Sequence, residues 1–156
     1  MAEHPHGFTP VRVDKPWGHE LLWASTDRYV GKILHIRAGH LLSLQYHEQK
    51  HESIYVLAGR MIFRYRDVQG ALAERVMTDG EAQQVPTGMV HQFEAIEDTD
   101  VLEASTPHLD DVVRLQDRYG RVPGCRSSSP SPARARGSGR TPTWSPSPSS
   151  ASPAGR

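Results

Sequence analysis

Little in this chain suits a disulfide scaffold, a membrane span or a nucleic-acid binder. There is a single cysteine, Cys125, which has no partner for an internal disulfide or a zinc knuckle. No apolar run is long enough to cross a bilayer, and Met1 to Pro10 lacks the charged-then-apolar layout of a secretory signal. Neither sign of charge is in excess: Lys plus Arg and Asp plus Glu number 18 each. No net field would therefore draw the protein to nucleic acid or a membrane surface. These absences lead to the expectation of a cytoplasmic protein whose partner is a small-molecule substrate.

What is present is enough for one domain with a real core, and 156 residues do not stretch to two. Composition shifts near residue 122. From Arg126 onward, "RSSSPSPARARGSGRTPTWSPSPSSASPAGR" is dominated by Ser, Pro, Arg, Gly and Ala. Such a stretch cannot bury enough apolar surface to offset the entropy of ordering it. The expected organisation is a folded domain over residues 10–121 and a disordered tail over 122–156.

The folded part reads as all-β. "HELLWA", "RYVGKILHI", "SLQYH", "SIYVLAG", "MIFRYRDV", "ALAERVM", "AQQVP", "VHQFEAI" and "DVLEAS" are each of strand length. "AGH", "AGR", "VQG", "TDG" and "PTG" mark turns between them. Many short strands with Gly and Pro punctuation predict a sandwich or a barrel-like jelly roll. One segment, "LDDVVRLQDRYG" from Leu109 to Gly120, reads as a short C-terminal helix. Leu109, Val112 and Val113 would share a face, and Asp110 and Asp111 would sit at its positive end. Exposed sheet edges make a homodimer the expected assembly.

The chemistry is concentrated in "LSLQYHEQKHE". Alternate side chains of a strand share a face, so Gln45 and His47 point the same way. Glu52 follows a polar turn that can return a carboxylate to the same point. His91 heads another β-type run just after a Pro-x-Gly turn and supplies a fourth donor. An unpaired buried carboxylate is costly, and a cation removes that cost. His51 faces away from Glu52 on an extended stretch and is expected on the surface. Arg64 and Arg66 share one face of their strand, read as a solvated sheet face.

The spacing Gly39, five residues, Gln45, one residue, His47, four residues, Glu52, six residues, Gly59 resembles the first cupin motif. Gln45 stands where that family usually has a histidine. Gly80, five residues, Pro86, one residue, Gly88, two residues, His91 resembles the second motif, with Ala95 where an Asn is common. "LSLQYHEQKHE", "KPWGHE" and "DDVVRLQDRYGR" further resemble the C-terminal isomerase domain of type II phosphomannose isomerase/mannose-1-phosphate guanylyltransferase, here as a stand-alone monocupin over roughly residues 13 to 121. That resemblance implies a cupin-type double-stranded β-helix, a jelly-roll barrel, holding a divalent metal on Gln45, His47, Glu52 and His91. It favours zinc, while the donor set also suits Fe, Mn, Co or Ni. The implied activity is metal-dependent isomerisation of mannose 6-phosphate and fructose 6-phosphate or a related sugar phosphate. Guanylyl transfer is not implied, because nothing in the chain is expected to bind GTP. Lys50 occupies the family's basic position, where it would shuttle a proton or neutralise a phosphate. Two alternatives stay open at this point. His47, Glu52 and His91 form the two-histidine, one-carboxylate set of non-haem iron oxygenases, and a non-catalytic sugar-binding cupin would use the ion structurally.

Overall fold

A computed structural model describes residues 7–121, which build two antiparallel sheets from eleven strands. The strands are β1 (Val11–Lys15), β2 (Gly18–Ser25), β3 (Val30–Ile36), β4 (Leu44–Tyr46), β5 (Glu52–Ala58), β6 (Arg60–Arg66), β7 (Leu72–Thr78), β8 (Ala82–Val85), β9 (His91–Ala95), β10 (Thr99–Ser105) and β11 (Val113–Gln116). Six of them form one sheet in the order β1-β2-β3-β10-β5-β8, and five form the other in the order β11-β4-β9-β6-β7. The tail expected over residues 122–156 lies outside the described residues.

Alternation along each strand sets the layers. On β5, Glu52, Ile54 and Val56 are buried while Ser53, Tyr55 and Leu57 are exposed. β9 and β10 repeat the pattern with His91, Phe93 and Ala95, and with Thr99, Val101, Glu103 and Ser105. The buried faces of the two sheets meet in one core, where Leu34, Ile36, Ile54 and Val56 lie with Met61, Phe63, Met77 and Phe93. Phe63 and Phe93 pack at 5.8 Å between ring centroids, inside the range in which aromatic pairs attract. The hairpin joining β5 to β6 depends on Gly59, whose φ is +93°. A Cβ there would stand 2.3 Å from the Asp98 carbonyl oxygen, so no other residue fits.

Two expectations are corrected. The sheets do not close into a jelly-roll barrel. β1 and β8 end one sheet, β11 and β7 end the other, and each sheet is open at both edges. The segment expected to be a C-terminal helix contains β11 instead, and the described residues contain no helix. Two interactions explain that switch. The Asp111 carboxylate accepts hydrogen bonds from the backbone amides of Glu48, Gln49 and Lys50, at 3.0, 2.7 and 2.7 Å, rather than capping its own segment. Val113 and Arg114 then pair with Tyr46 and Gln45 across β4, where β-branched valine is at home. No helix among the described residues is long and apolar enough to cross a membrane.

Candidate metal centre

The first half of the site rests on β4, the loop after it and the start of β5. His47 follows β4 directly and is buried. Its Nδ1 faces the backbone carbonyl of Asp111. The second half comes from β9. A turn at Pro86–Gly88 ties back to the first half through a 2.8 Å hydrogen bond from the Gly88 amide to the His47 carbonyl. Gly88 adopts φ +82° there, and the motif glycines Gly39, Gly59 and Gly80 are likewise left-handed. His91 then opens β9, fully buried, with Nδ1 2.9 Å from the Met89 carbonyl.

These contacts decide the tautomers. A carbonyl oxygen only accepts, so each Nδ1 must carry the hydrogen and donate it. In the neutral ring this leaves a lone pair on Nε2. Both Nε2 atoms are buried without a hydrogen-bond partner. They face Glu52, which is itself buried, with His47 Nε2 3.6 Å from Oε2 and His91 Nε2 3.3 Å from Oε1. The ligand atoms of His47, Glu52 and His91 all lie within 4.8 Å of one another. Two lone pairs and a carboxylate facing one another in a dry site are electrostatically unfavourable without a cation. The donor set therefore fits a divalent metal on chemical grounds, and each imidazole is oriented through its other nitrogen as metal-binding histidines are.

Gln45 and Lys50 sit beside this cluster. Gln45 is the register partner of His91 across β4 and β9, and its Oε1 accepts a 2.6 Å hydrogen bond from the Ser43 hydroxyl. Lys50 is buried, with Nζ 2.6 Å from Glu103 Oε1 and in contact with Glu52 Oε2. Burial works to lower its pKa, but the charges of Glu103 and Glu52 outweigh burial and the net direction is upward, so Lys50 is an ammonium. Burial alone would likewise raise the Glu52 carboxyl. The charge of the Lys50 ammonium opposes that, and the net direction is well below the usual carboxylate range.

Glu103 is a site residue that sequence reasoning missed. It projects inward from β10 with Val101 and Ser105, and the only available signal was an acid at an inward position of "DVLEAS". The other expectations divide. His51 is exposed as expected. Arg64 is half-buried rather than freely solvated, because it pairs with Glu74 at 2.7 Å and with Glu94. Arg121 grips Asp117 with its guanidinium across the turn that ends the described residues. The centre opens into a cleft of about 60 Å³ whose lining includes Gln45, His47, Lys50, Glu52 and Glu103 together with the apolar Trp17, Leu42 and Phe93.

The family model described as "Cupin domain" matches residues 32–104, a segment that contains His47, Glu52 and His91. These residues form a cupin domain. Mannose-1-phosphate guanylyltransferase of Escherichia coli is 31% identical to this cupin over 115 residues, which cover 70% of this chain and 23% of that protein. The chain thus spans about a quarter of the length of the curated relatives it matches. Among solved structures, KdgF from Halomonas sp. superposes with a TM-score of 0.56 at 21% identity, covering 64% of this chain and 88% of that one. The capsular polysaccharide assembling protein CapF from Staphylococcus aureus gives a TM-score of 0.59 at 21% identity, covering 70% and 33%. Likeness at that identity speaks for the fold alone. The finding that stands is a cupin with a His/Glu cluster arranged as a metal-dependent enzyme's would be.

Proposed function

We propose that this cupin is a metal-dependent aldose–ketose isomerase acting on a sugar phosphate, with mannose 6-phosphate and fructose 6-phosphate as the leading pair. The observation that carries this reading is the buried cluster of His47, Glu52 and His91 beside an ion-paired lysine and a second carboxylate. The sugar class is favoured by a relative whose name refers to mannose 1-phosphate.

His47 Nε2, His91 Nε2 and a Glu52 oxygen would hold the metal, with the Gln45 amide oxygen as the fourth donor. An amide oxygen has two lone pairs, so the Ser43 hydrogen bond leaves one for the ion. A bound Zn²⁺, or another borderline divalent ion, supplies Lewis-acid stabilisation of negative charge on substrate oxygens. The chain's own residues move the protons. The Glu103 carboxylate takes the proton from the carbon beside the carbonyl and returns it one carbon along. The hydroxyl proton passes between the two substrate oxygens, so atoms and charge balance. The Lys50 ammonium donates a hydrogen bond to the oxygen that becomes negative. The apolar walls at Trp17, Leu42 and Phe93 keep water from that intermediate.

The test is elemental analysis of the purified protein coupled to an isomerase assay before and after chelation. About one divalent ion per chain, with turnover lost on chelation and restored by Zn²⁺, is expected. Saturable sugar binding without turnover in metal-replete protein would instead select a binding cupin and refute the isomerase.

A further inference from the structure

The cleft carries more positive charge than its carboxylates use. Lys15 and Lys32 both approach one oxygen of Glu20, at 3.6 and 3.3 Å, so two ammonium groups share one carboxylate. Lys50 is taken by Glu52 and Glu103. Arg121 is taken by Asp117, which engages both the Arg121 amide and its guanidinium. Arg114 is different. It lines the same cleft, yet its Nε is buried with no hydrogen-bond partner among the described residues. A buried guanidinium nitrogen left without an acceptor is costly, so its place in a cleft points to an acceptor that arrives with a ligand.

The strand register gives the ligand's position. Arg114 pairs with Gln45, and Gln45 pairs with His91, so the three side chains form a row on one face across β11, β4 and β9. Two strand spacings separate the ends of that row, about 10 Å between Arg114 and His91 at the backbone. A ligand that reaches the metal centre with one end therefore reaches Arg114 with a group several bonds away.

We propose that Arg114 binds an anionic group of the substrate, with the surplus charge of Lys15 and Lys32 favouring it from elsewhere on the cleft. The chemistry shared by the candidates is a small dianion or carboxylate that a guanidinium grips with two parallel hydrogen bonds. This inference rests on the isomerase reading for its choice of sugar, and not for the existence of the anion site.

The test uses the full chain loaded with Zn²⁺, titrated calorimetrically with fructose 6-phosphate, gluconate and fructose. One of the two charged sugars should bind at least about tenfold more tightly than fructose, and the preferred one identifies phosphate or carboxylate. Arg114→Met should shrink that preference to about twofold while metal stoichiometry stays the same. Arg114→Lys should recover part of it, because the charge remains and the fork is gone. No preference in the wild type, or full preference in Arg114→Met, overturns the proposal. Should Arg114→Met fail to fold, Arg114→Lys decides, and an unchanged preference there overturns it. Anion preference without turnover refutes the isomerase and leaves this site standing, whereas turnover without anion preference does the reverse.

Discussion

β5 changes character halfway along its inward face. Ile54 and Val56 belong to the apolar core, and Glu52, one inward position earlier, belongs to the candidate metal centre. β9 does the same, with Phe93 and Ala95 on the core side and His91 on the other. β10 follows them, with Val101 in the core and Glu103 in the site. The polar ends coincide because register aligns them: Ser105 opposes Glu52, and Glu103 opposes Ile54. One end of the space between the sheets is held by dispersion and water exclusion, the other by charge balance. A cation bound at the polar end would thus have a packed wall behind it, and the same backbones serve both ends.

The sharpest way to separate the two ends is to remove one donor. His47→Ala and His91→Ala should each drop bound metal from about one ion per chain to near none by elemental analysis, with near-wild-type secondary structure by circular dichroism. Phe63→Ala should do the opposite. It opens a cavity at the apolar end and should cost about 3–5 kcal/mol in chemical denaturation while the folded fraction still binds metal. Lys50→Met tests charge balance directly. Leaving Glu52 and Glu103 without their shared ammonium should cost about 3 kcal/mol in metal-free protein, and added Zn²⁺ should recover much of it. A loss indifferent to Zn²⁺ would break the comparison.

The smallest effect is expected at Asp117. Burial pushes its carboxyl up, but hydrogen bonds from Arg121 win and hold it below its ordinary value of 3.8. A depressed folded value means that the stabilisation is full above pH 3.8 and fades as pH falls through the lower folded value. The stability gap between wild type and Asp117→Asn should be constant from pH 7 to pH 5 and shrink below about pH 4. A gap that grows on acidification would contradict the ion pair.

The strands were legible because alternation and turn residues agree: nine runs picked from the chain coincide with β2 to β10. Three donors were legible because they cluster at fixed spacing. Glu103 was not, since an alternating strand reveals two faces but not which one a partner covers. β1 was missed because its burial is slight: Val11 and Val13 are exposed. Asp110 and Asp111 looked like a helix start because acids before an apolar pair suit that role. What decided otherwise was a contact made by Asp111 more than sixty positions back, which local pattern cannot contain.

Asp111 holds the domain together in two currents at once. Its side chain gathers the amides of residues 48–50, and its carbonyl steers the His47 ring. Coupling of this kind is reciprocal. Whatever loosens β11 from β4 must weaken the grip on an ion, and an ion in place must make the closing stretch of the domain slower to exchange its amide hydrogens. A divalent ion held there would then act as a fastener of the last described strand.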